Sequence, residues 1–201
     1  MQVSDKVVGI LLAAGAGTRF GGDKGLATLP NGTAMAIQSA ANLQRVVGDV
    51  LCVVRAEDAR LQELFKAAGF ETVICDDAVL GMSTSLRAGI LASSQASGWL
   101  IALADMPLIS EETYSGIIKQ VDNQSALQIV VPVFEEQDGH PVYFSASFRG
   151  DLLALQGDKG AKKLLRQYPE SVCCIIVSDS GVLQDFDTPV AFSDFFNTDK
   201  T

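Results

Sequence analysis

The sequence predicts an α/β protein: a doubly wound, mostly parallel sheet with a small antiparallel insertion near the C-terminal third. Three observations carry that expectation. Short β-branched runs alternate with stretches of helical periodicity along the 201 residues, the pattern of repeated strand–helix–strand crossovers. One run, WLIALA at Trp99–Ala104, holds no polar residue, as expected of a strand covered on both faces. In the last third, QIVVPVF and PVYF are separated by the polar EEQDGH, which reads as a hairpin.

The elements follow in order. Val7–Ala13 reads as the first strand and Met35–Val46 as an amphipathic helix. VLCVVR (Val50–Arg55) is a strand, Glu57–Ala68 a helix closed by Gly69, and Thr72–Cys75 a short strand. Ser83–Ser93 is a helix that leads into the Trp99–Ala104 strand. Ser110–Val121 is a helix with Ser110 as its N-cap and Glu111 and Glu112 in the first turn, where they meet the positive end of the helix dipole. Gln128–Phe134 and Pro141–Phe144 form the antiparallel insertion. Two short helices follow in SFRGDLLAL and DKGAKKLLRQY, then the strand VCCIIVS and the closing DFDTPVAFSDFF. No repeat, low-complexity tract or linker divides the chain. Sheets of this kind bind ligands beyond the carboxyl ends of their strands, so the residues after the first strand and after WLIALA are where a site is expected.

Composition narrows the function. Hydrophobic residues make up 48% and charged residues 19%, enough apolar side chain for a sizeable core. No apolar run reaches the ~18 residues of a membrane span. The N-terminal MQVSDKVVGILLAAG carries Asp5, a single lysine and no small-residue cleavage site; it reads as a first strand and not a signal peptide, so a cytoplasmic location is expected. The net charge of −9 argues against nucleic acid and anionic membranes as partners. Cations that hold an anionic ligand must therefore be local. Cys52, Cys75, Cys173 and Cys174 have no C-x-x-C spacing and there is one histidine, which speaks against zinc and for buried free thiols in a reducing cytosol.

LLAAGAGTRFGGDKG, Leu11 to Gly25, is the stretch richest in chemistry, with five glycines, Arg19 and Lys24. The dinucleotide fingerprint G-x-G-x-x-G fits at Gly15 and Gly17 but meets Phe20 at its third position, and VLCVVR ends in Arg55 where that motif needs an acid. The P-loop fails as well: Lys24 follows Asp23, and Gly25 stands where a magnesium-binding hydroxyl belongs. What remains is a longer glycine loop whose N–H groups can face a triphosphate while Arg19 and Lys24 neutralise it. Asp105, directly after an apolar strand, suits a magnesium ligand or a turn. Asp187 is the natural second carboxylate, or the cap of a helix that begins at Pro189. GMSTSLRAG (Gly81–Gly89) half-matches G-x-S-x-G, but Ser85 replaces the last glycine, which disfavours a serine hydrolase. His140 is the only histidine; a satisfied loop residue and a ligand contact are both open to it.

LAAGAGTRFGGDK, ADMP (Ala104–Pro107), GHPVYF (Gly139–Phe144) and DFDTP (Asp185–Pro189), in that order, resemble the molybdenum cofactor nucleotidyltransferases, within the wider group of MobA-like NTP transferases. The resemblance runs from residue 11 to about 196. It implies a single NTP transferase domain over residues 1–201 with a Rossmann-like nucleotidyltransferase fold. It also implies transfer of a nucleoside monophosphate from an NTP, with Mg²⁺, onto a phosphorylated acceptor. Carried over residue by residue, it implies nucleotide binding by Leu12, Ala13, Ala14, Gly15, Gly17, Arg19, Lys24, Gly81, Ser85 and Asp105, with Gly81 and Ser85 against base and ribose. Arg19, Lys24 and Asp105 would be catalytic, Asp105 and Asp187 would hold the metal, and His140 would lie beside the acceptor. The chemistry asks little covalent help, because a phosphomonoester with a second pKa of roughly 6 is already a nucleophile at pH 7. Positioning and charge neutralisation suffice, which suits a chain with no Ser-His or Cys-His motif.

Within the family, guanylyl-transferring members tend to read L-A-G-G, with a longer Arg-to-Lys interval and N-T-P near the end. Leu12-Ala13-Ala14-Gly15, the short interval from Arg19 to Lys24 and Asp187-Thr188-Pro189 resemble the cytidylyltransferase branch instead. The Ala14 methyl would narrow a base slot against a purine. GGDKGL echoes the guanylyl branch. CTP is therefore the expected nucleotide and molybdopterin or a related pterin the expected acceptor, with a molybdoenzyme or its chaperone receiving the product. Lys162 stands where the family often has Arg; with Lys159 and Lys163 it also fits a solvated helix face. The competing readings are a GTP-using relative, a non-catalytic NTP-binding protein, and an NAD- or FAD-binding oxidoreductase.

Overall fold

A computed structural model describes residues 6–15, 17–22, 24–121, 128–157 and 161–198, with side chains to residue 196. Its strands are β1 (Val7–Leu12), β2 (Val50–Arg55), β3 (Glu71–Cys75), β4 (Gly98–Leu103), β5 (Ile129–Phe134), β6 (Gln137–Asp138), β7 (Val142–Ser145) and β8 (Val172–Ile176). Its helices are α1 (Met35–Val47), α2 (Ala59–Ala67), α3 (Met82–Ala92), α4 (Glu111–Val121), α5 (Arg149–Leu153), α6 (Lys162–Gln167) and α7 (Pro189–Thr198).

One sheet carries them all, in the order β3-β2-β1-β4-β7-β5, with β6 and β8 also paired to β5. The pairings of β1 with β2 and β4, of β2 with β3, and of β5 with β8 are parallel. β7 is antiparallel to β4 and β5, and β6 to β5, so the expected insertion is present. The chain winds outward from β1 through β2 to β3, then returns by α3 to β4 on the other side of β1. That reversal opens a crevice at the carboxyl ends of β1 and β4, which finish level, Leu12 opposite Leu103.

Apolar faces decide where the helices lie. Leu43 of α1, Phe65 of α2 and Tyr114 of α4 bury against one side of the sheet. Leu86 of α3, Leu152 of α5 and Leu164 of α6 bury against the other, with Trp99. Two glycines set how closely helix meets strand. A Cβ at Gly9 would stand 2.8 Å from Leu43, and one at Gly89 2.8 Å from Ile10, so α1 and α3 press directly onto β1.

The structure shifts several expected boundaries by one or two residues. α2 begins at Ala59 and not Glu57 because the Asp58 carboxylate caps it, accepting from the Leu61 N–H. Ser110 is the α4 cap as expected, its hydroxyl accepting from the Thr113 N–H. The hairpin turns at Glu135 and Glu136, both at positive φ, and its return strand is split: β6 pairs the end of β5, β7 its beginning. Lys159 lies outside the described residues. The thiol expectation needs correction. Cys52 and Cys75 are buried, Cys173 is half-buried and Cys174 is exposed. In β8, Cys173 and Ile175 turn onto the first core while Cys174 and Ile176 look outward, Ile176 82% exposed. The apolar run VCCIIVS hid a strand with one face half-buried and the other exposed.

Candidate active site

The crevice is floored by the end of β1. The Ala104 N–H donates to the Leu12 carbonyl (3.1 Å) and the Ala13 N–H to the Val53 carbonyl (2.9 Å), which ties the three strand ends together. The glycine loop leaves from here. Gly17, Gly21 and Gly22 have φ of 57°, 88° and 103°, left-handed backbone that side chains resist. Between them Thr18–Phe20 forms a single tight turn, closed by the Phe20 and Gly22 N–H groups donating to the Gly17 carbonyl (2.9 and 3.2 Å).

Lys24 points back across the crevice. Its Nζ donates to Asp105 Oδ2 at 2.6 Å and to Asp187 Oδ1 at 2.7 Å, while Arg19 Nη1 lies 2.8 Å from Asp187 Oδ2. Lys24 is 13% exposed at the side chain and Arg19 75%: one cation is fixed inside, the other reaches into solvent. Asp105 sits in the turn after β4, braced by buried polar side chains of α1. Ser39 Oγ donates to the Ala104 carbonyl (3.1 Å), and Asn42 Nδ2 to the carbonyls of Pro107 and Ile109 (3.0 and 3.2 Å). Asp187 arrives from the far end of the chain. The Phe186 N–H donates to the Asp105 carbonyl (3.3 Å) and its ring is fully buried, so Asp185 and Asp187, on either side of it, turn toward the crevice together.

Asp185 is the acidic group that the sequence reading left out of the metal set. A carboxylate oxygen from each of Asp105, Asp185 and Asp187 falls within 4.8 Å of the others. The D-x-D spacing in an extended segment was the available signal, since alternate residues of an extended chain share a side. Burial lowers the Lys24 pKa, but hydrogen bonds and charge from Asp105 and Asp187 outweigh it and hold it above its ordinary value. The Lys24 hydrogen bond holds the Asp187 carboxyl below its usual range against partial burial, with the charges of Lys24 and Arg19 adding to it. Burial first, then the charges of Asp187 and Asp105, push Asp185 up. Among the described residues three carboxylates thus face two cations, and Asp105 Oδ1 is buried without a hydrogen-bond partner. An oxygen-only donor set with one unsatisfied carboxylate atom fits a hard divalent cation such as Mg²⁺ or Mn²⁺.

Asp105, Asp187, Lys24 and Arg19 line a cavity of about 520 Å³, within the range of small-ligand sites. Every residue expected at the nucleotide lines it: Leu12 to Gly15, Gly17, Arg19, Lys24, Gly81, Ser85 and Asp105, and Asp187 with them. Gly81 opens α3 at φ 115° and Ser85 is buried one turn on. Leu61, Ala78 and Val79 also line it and lie in none of the motifs that the sequence offered. His140 is not brought to this cavity. It lines a second one of about 210 Å³, together with Lys162. The two cavities share Leu12, Met82 and Leu103 as a common wall. Burial pushes the His140 imidazole below its ordinary pKa, so it is neutral at pH 7. Lys163 lines neither cavity.

Residues 9–172 match the sequence profile of the MobA-like NTP transferase domain. The chain belongs to the MobA-like NTP transferase family. Among curated relatives it is 29% identical to the purine catabolism protein PucB of Bacillus subtilis, over 92% of this chain and 94% of that one. It is 31% identical to the nicotine blue oxidoreductase of Paenarthrobacter nicotinovorans (90% and 92%) and 26% identical to a molybdenum cofactor guanylyltransferase of Cupriavidus pinatubonensis (94% and 95%). Among solved structures it resembles an Rv0371c homologue from Mycobacterium sp. strain JC1, with a TM-score of 0.83, 28% identity and 96% of each chain covered. It also resembles Rv0371c of Mycobacterium tuberculosis in complex with manganese, with a TM-score of 0.76, 25% identity and coverage of 96% and 99%. By family this is a nucleotidyltransferase of the MobA-like type. Of these relatives, the one named for a nucleotide is a guanylyltransferase and not a cytidylyltransferase.

Proposed function

We propose that this MobA-like chain is a single transferase domain, working in the cytoplasm. In this reading it moves CMP from CTP onto the phosphate of molybdopterin or a related phosphorylated pterin and releases pyrophosphate. The observation that carries the reading is Lys24, hydrogen-bonded to both Asp105 and Asp187 inside the cavity that the glycine loop encloses. A dinucleotide site reads its ligand mainly through backbone N–H groups and has no use for a fixed ammonium between two carboxylates.

In this reading Gly15 and Gly17 present backbone to the triphosphate, and Arg19 and Lys24 neutralise it. Asp105 and Asp187, with Asp185 beside them, would hold Mg²⁺. When bound, that ion polarises phosphate oxygens and offsets charge on the leaving group. Base and ribose lie against Gly81 and Ser85, where the buried Ala14 methyl, 4% exposed, supports the smaller pyrimidine ring. The acceptor fills the second cavity, beside neutral His140, across the shared wall of Leu12, Met82 and Leu103. An oxygen of its phosphate bonds to the α-phosphorus of CTP as the bond from that phosphorus to the bridging oxygen breaks. Pyrophosphate leaves with the electron pair and no proton need be removed. The product passes to a molybdoenzyme or its chaperone.

The test supplies Mg²⁺, molybdopterin and each NTP in turn and measures pyrophosphate. Release should be fastest with CTP. Faster release with GTP would refute the cytidylyl assignment and leave the transferase reading standing. No release with any NTP, together with tight, metal-independent binding of NAD or FAD, would overturn transfer itself. That outcome would align the chain with its 31% identical oxidoreductase relative.

A further inference from the structure

Besides Lys24, the tight turn of the glycine loop, Thr18–Phe20, is fastened at two points among the described residues. Arg19 pairs with Asp187 at 2.8 Å. The next residue, Phe20, sets its ring edge-on to Phe192 of α7, with centroids 6.1 Å apart and an interplanar angle of 79°. Both partners belong to the C-terminal segment, and that segment is itself anchored. The buried Phe186 ring meets Phe192 at 5.3 Å and Phe195 and Phe196 at 5.4 Å, and its N–H holds the Asp105 carbonyl.

The two fastenings differ in kind. A triphosphate entering the cavity competes with the Asp187 carboxylate for the Arg19 guanidinium, because phosphate oxygens accept the same fork of donors. The ion pair therefore opens as nucleotide binds. The ring contact carries no charge, and neither Phe20 nor Phe192 lines the cavity, so it persists. A loop with left-handed glycines at 17, 21 and 22 has much backbone freedom to lose on ordering. We infer that the Phe20–Phe192 contact pins the glycine loop to α7 while Arg19 exchanges Asp187 for the nucleotide. Phe20 and Phe192 are thus positioning residues that act through Arg19. The nucleotide consequence depends on the transferase reading; the pinning of the loop does not.

Two measurements test this. The first is amide hydrogen exchange of the ligand-free protein, read at Phe20, Gly21 and Gly22, whose N–H groups close the loop turn. Phe192→Ala should speed their exchange about 2- to 12-fold, the range of one aromatic pair. Phe20→Ala should do the same while α7 stays protected. Phe195→Ala removes a ring that packs on Phe186 and Phe196 of the same cluster and should leave the loop unchanged. The second measurement is steady-state kinetics with Mg·CTP. Phe192→Ala should raise KM by a similar factor with kcat within about twofold, and Phe192→Tyr should restore it; simple loss of folded protein would lower kcat at constant KM. Unchanged loop exchange in Phe192→Ala or Phe20→Ala, or an equal effect in Phe195→Ala, overturns the pin. If the wild type uses no nucleotide, the transferase reading falls, while the exchange comparison still decides the pin.

Discussion

Lys24 holds its proton because two carboxylates outweigh the burial that would remove it, and its removal would leave Asp105 and Asp187 facing each other with less counter-charge. Lys24→Ala is therefore expected to weaken nucleotide binding and to lower kcat by roughly 10²–10³-fold, the loss of one preorganised transition-state donor. Asp105→Asn should abolish turnover, and Asp187→Asn should weaken it less. Steady-state kinetics on the three variants check this, and a near wild-type rate for Asp105→Asn would remove the metal assignment. His140 offers a test through stability. Its folded pKa lies below the ordinary value because burial disfavours the charged ring, so at low pH the unfolded chain takes the proton more readily. The stabilisation is complete above the ordinary value of roughly 6.5 and is lost as pH falls from there toward the lower folded value. Urea unfolding at about pH 7.5 and 5.5 should show a larger loss for the wild type than for His140→Gln; equal losses would refute the assignment.

At the level of elements, the tight seating of α3 on β1 matters because α3 begins at the cavity with Gly81 and Ser85. Gly89→Val would drive a side chain into Ile10 and Val53, an overpacking that costs about 1–3 kcal/mol. Denaturant unfolding should register that loss, and Mg·CTP affinity should fall with it as the start of α3 shifts. The same elements mark what could be read from sequence. Val50–Arg55 was found at its true bounds because the pattern of a buried strand is local. The cavity lining was found because glycines and charges cluster in motifs. Asp185 is not legible as a third carboxylate because its place beside Asp105 and Asp187 depends on Phe186 turning inward, which no adjacent residue announces. Cys174 was misread because an apolar run cannot say whether a second layer covers it. The meeting of Phe20 with Phe192 joins opposite ends of the chain, and no periodicity encodes such a contact.

The whole molecule carries a net charge of −9, and its crevice sets three carboxylates against Lys24 and Arg19, so a nucleotide's charge should be offset there only when a divalent cation accompanies it. Ligand at a hundredfold its Kd contributes about 2.7 kcal/mol to stability, and about 2–4 °C of Tm accompanies each kcal/mol at this size. Saturating Mg·CTP should therefore raise Tm by about 5–10 °C, and Mg·GTP by less; the reverse order in a thermal shift assay would favour GTP. The crevice also has a history in the life of each molecule. Its acidic wall joins Asp105 to Asp187, which closes against Lys24 from a segment near the end of the sequence. At about 5–20 residues per second of synthesis, the interval between the two aspartates occupies on the order of ten seconds. Throughout most of that interval a ribosome-bound chain can hold β1 to β4 but not the acidic wall that closes against Lys24. A chain terminated before Asp187 would accordingly keep the glycine loop and Asp105 but lack the second carboxylate that holds Lys24.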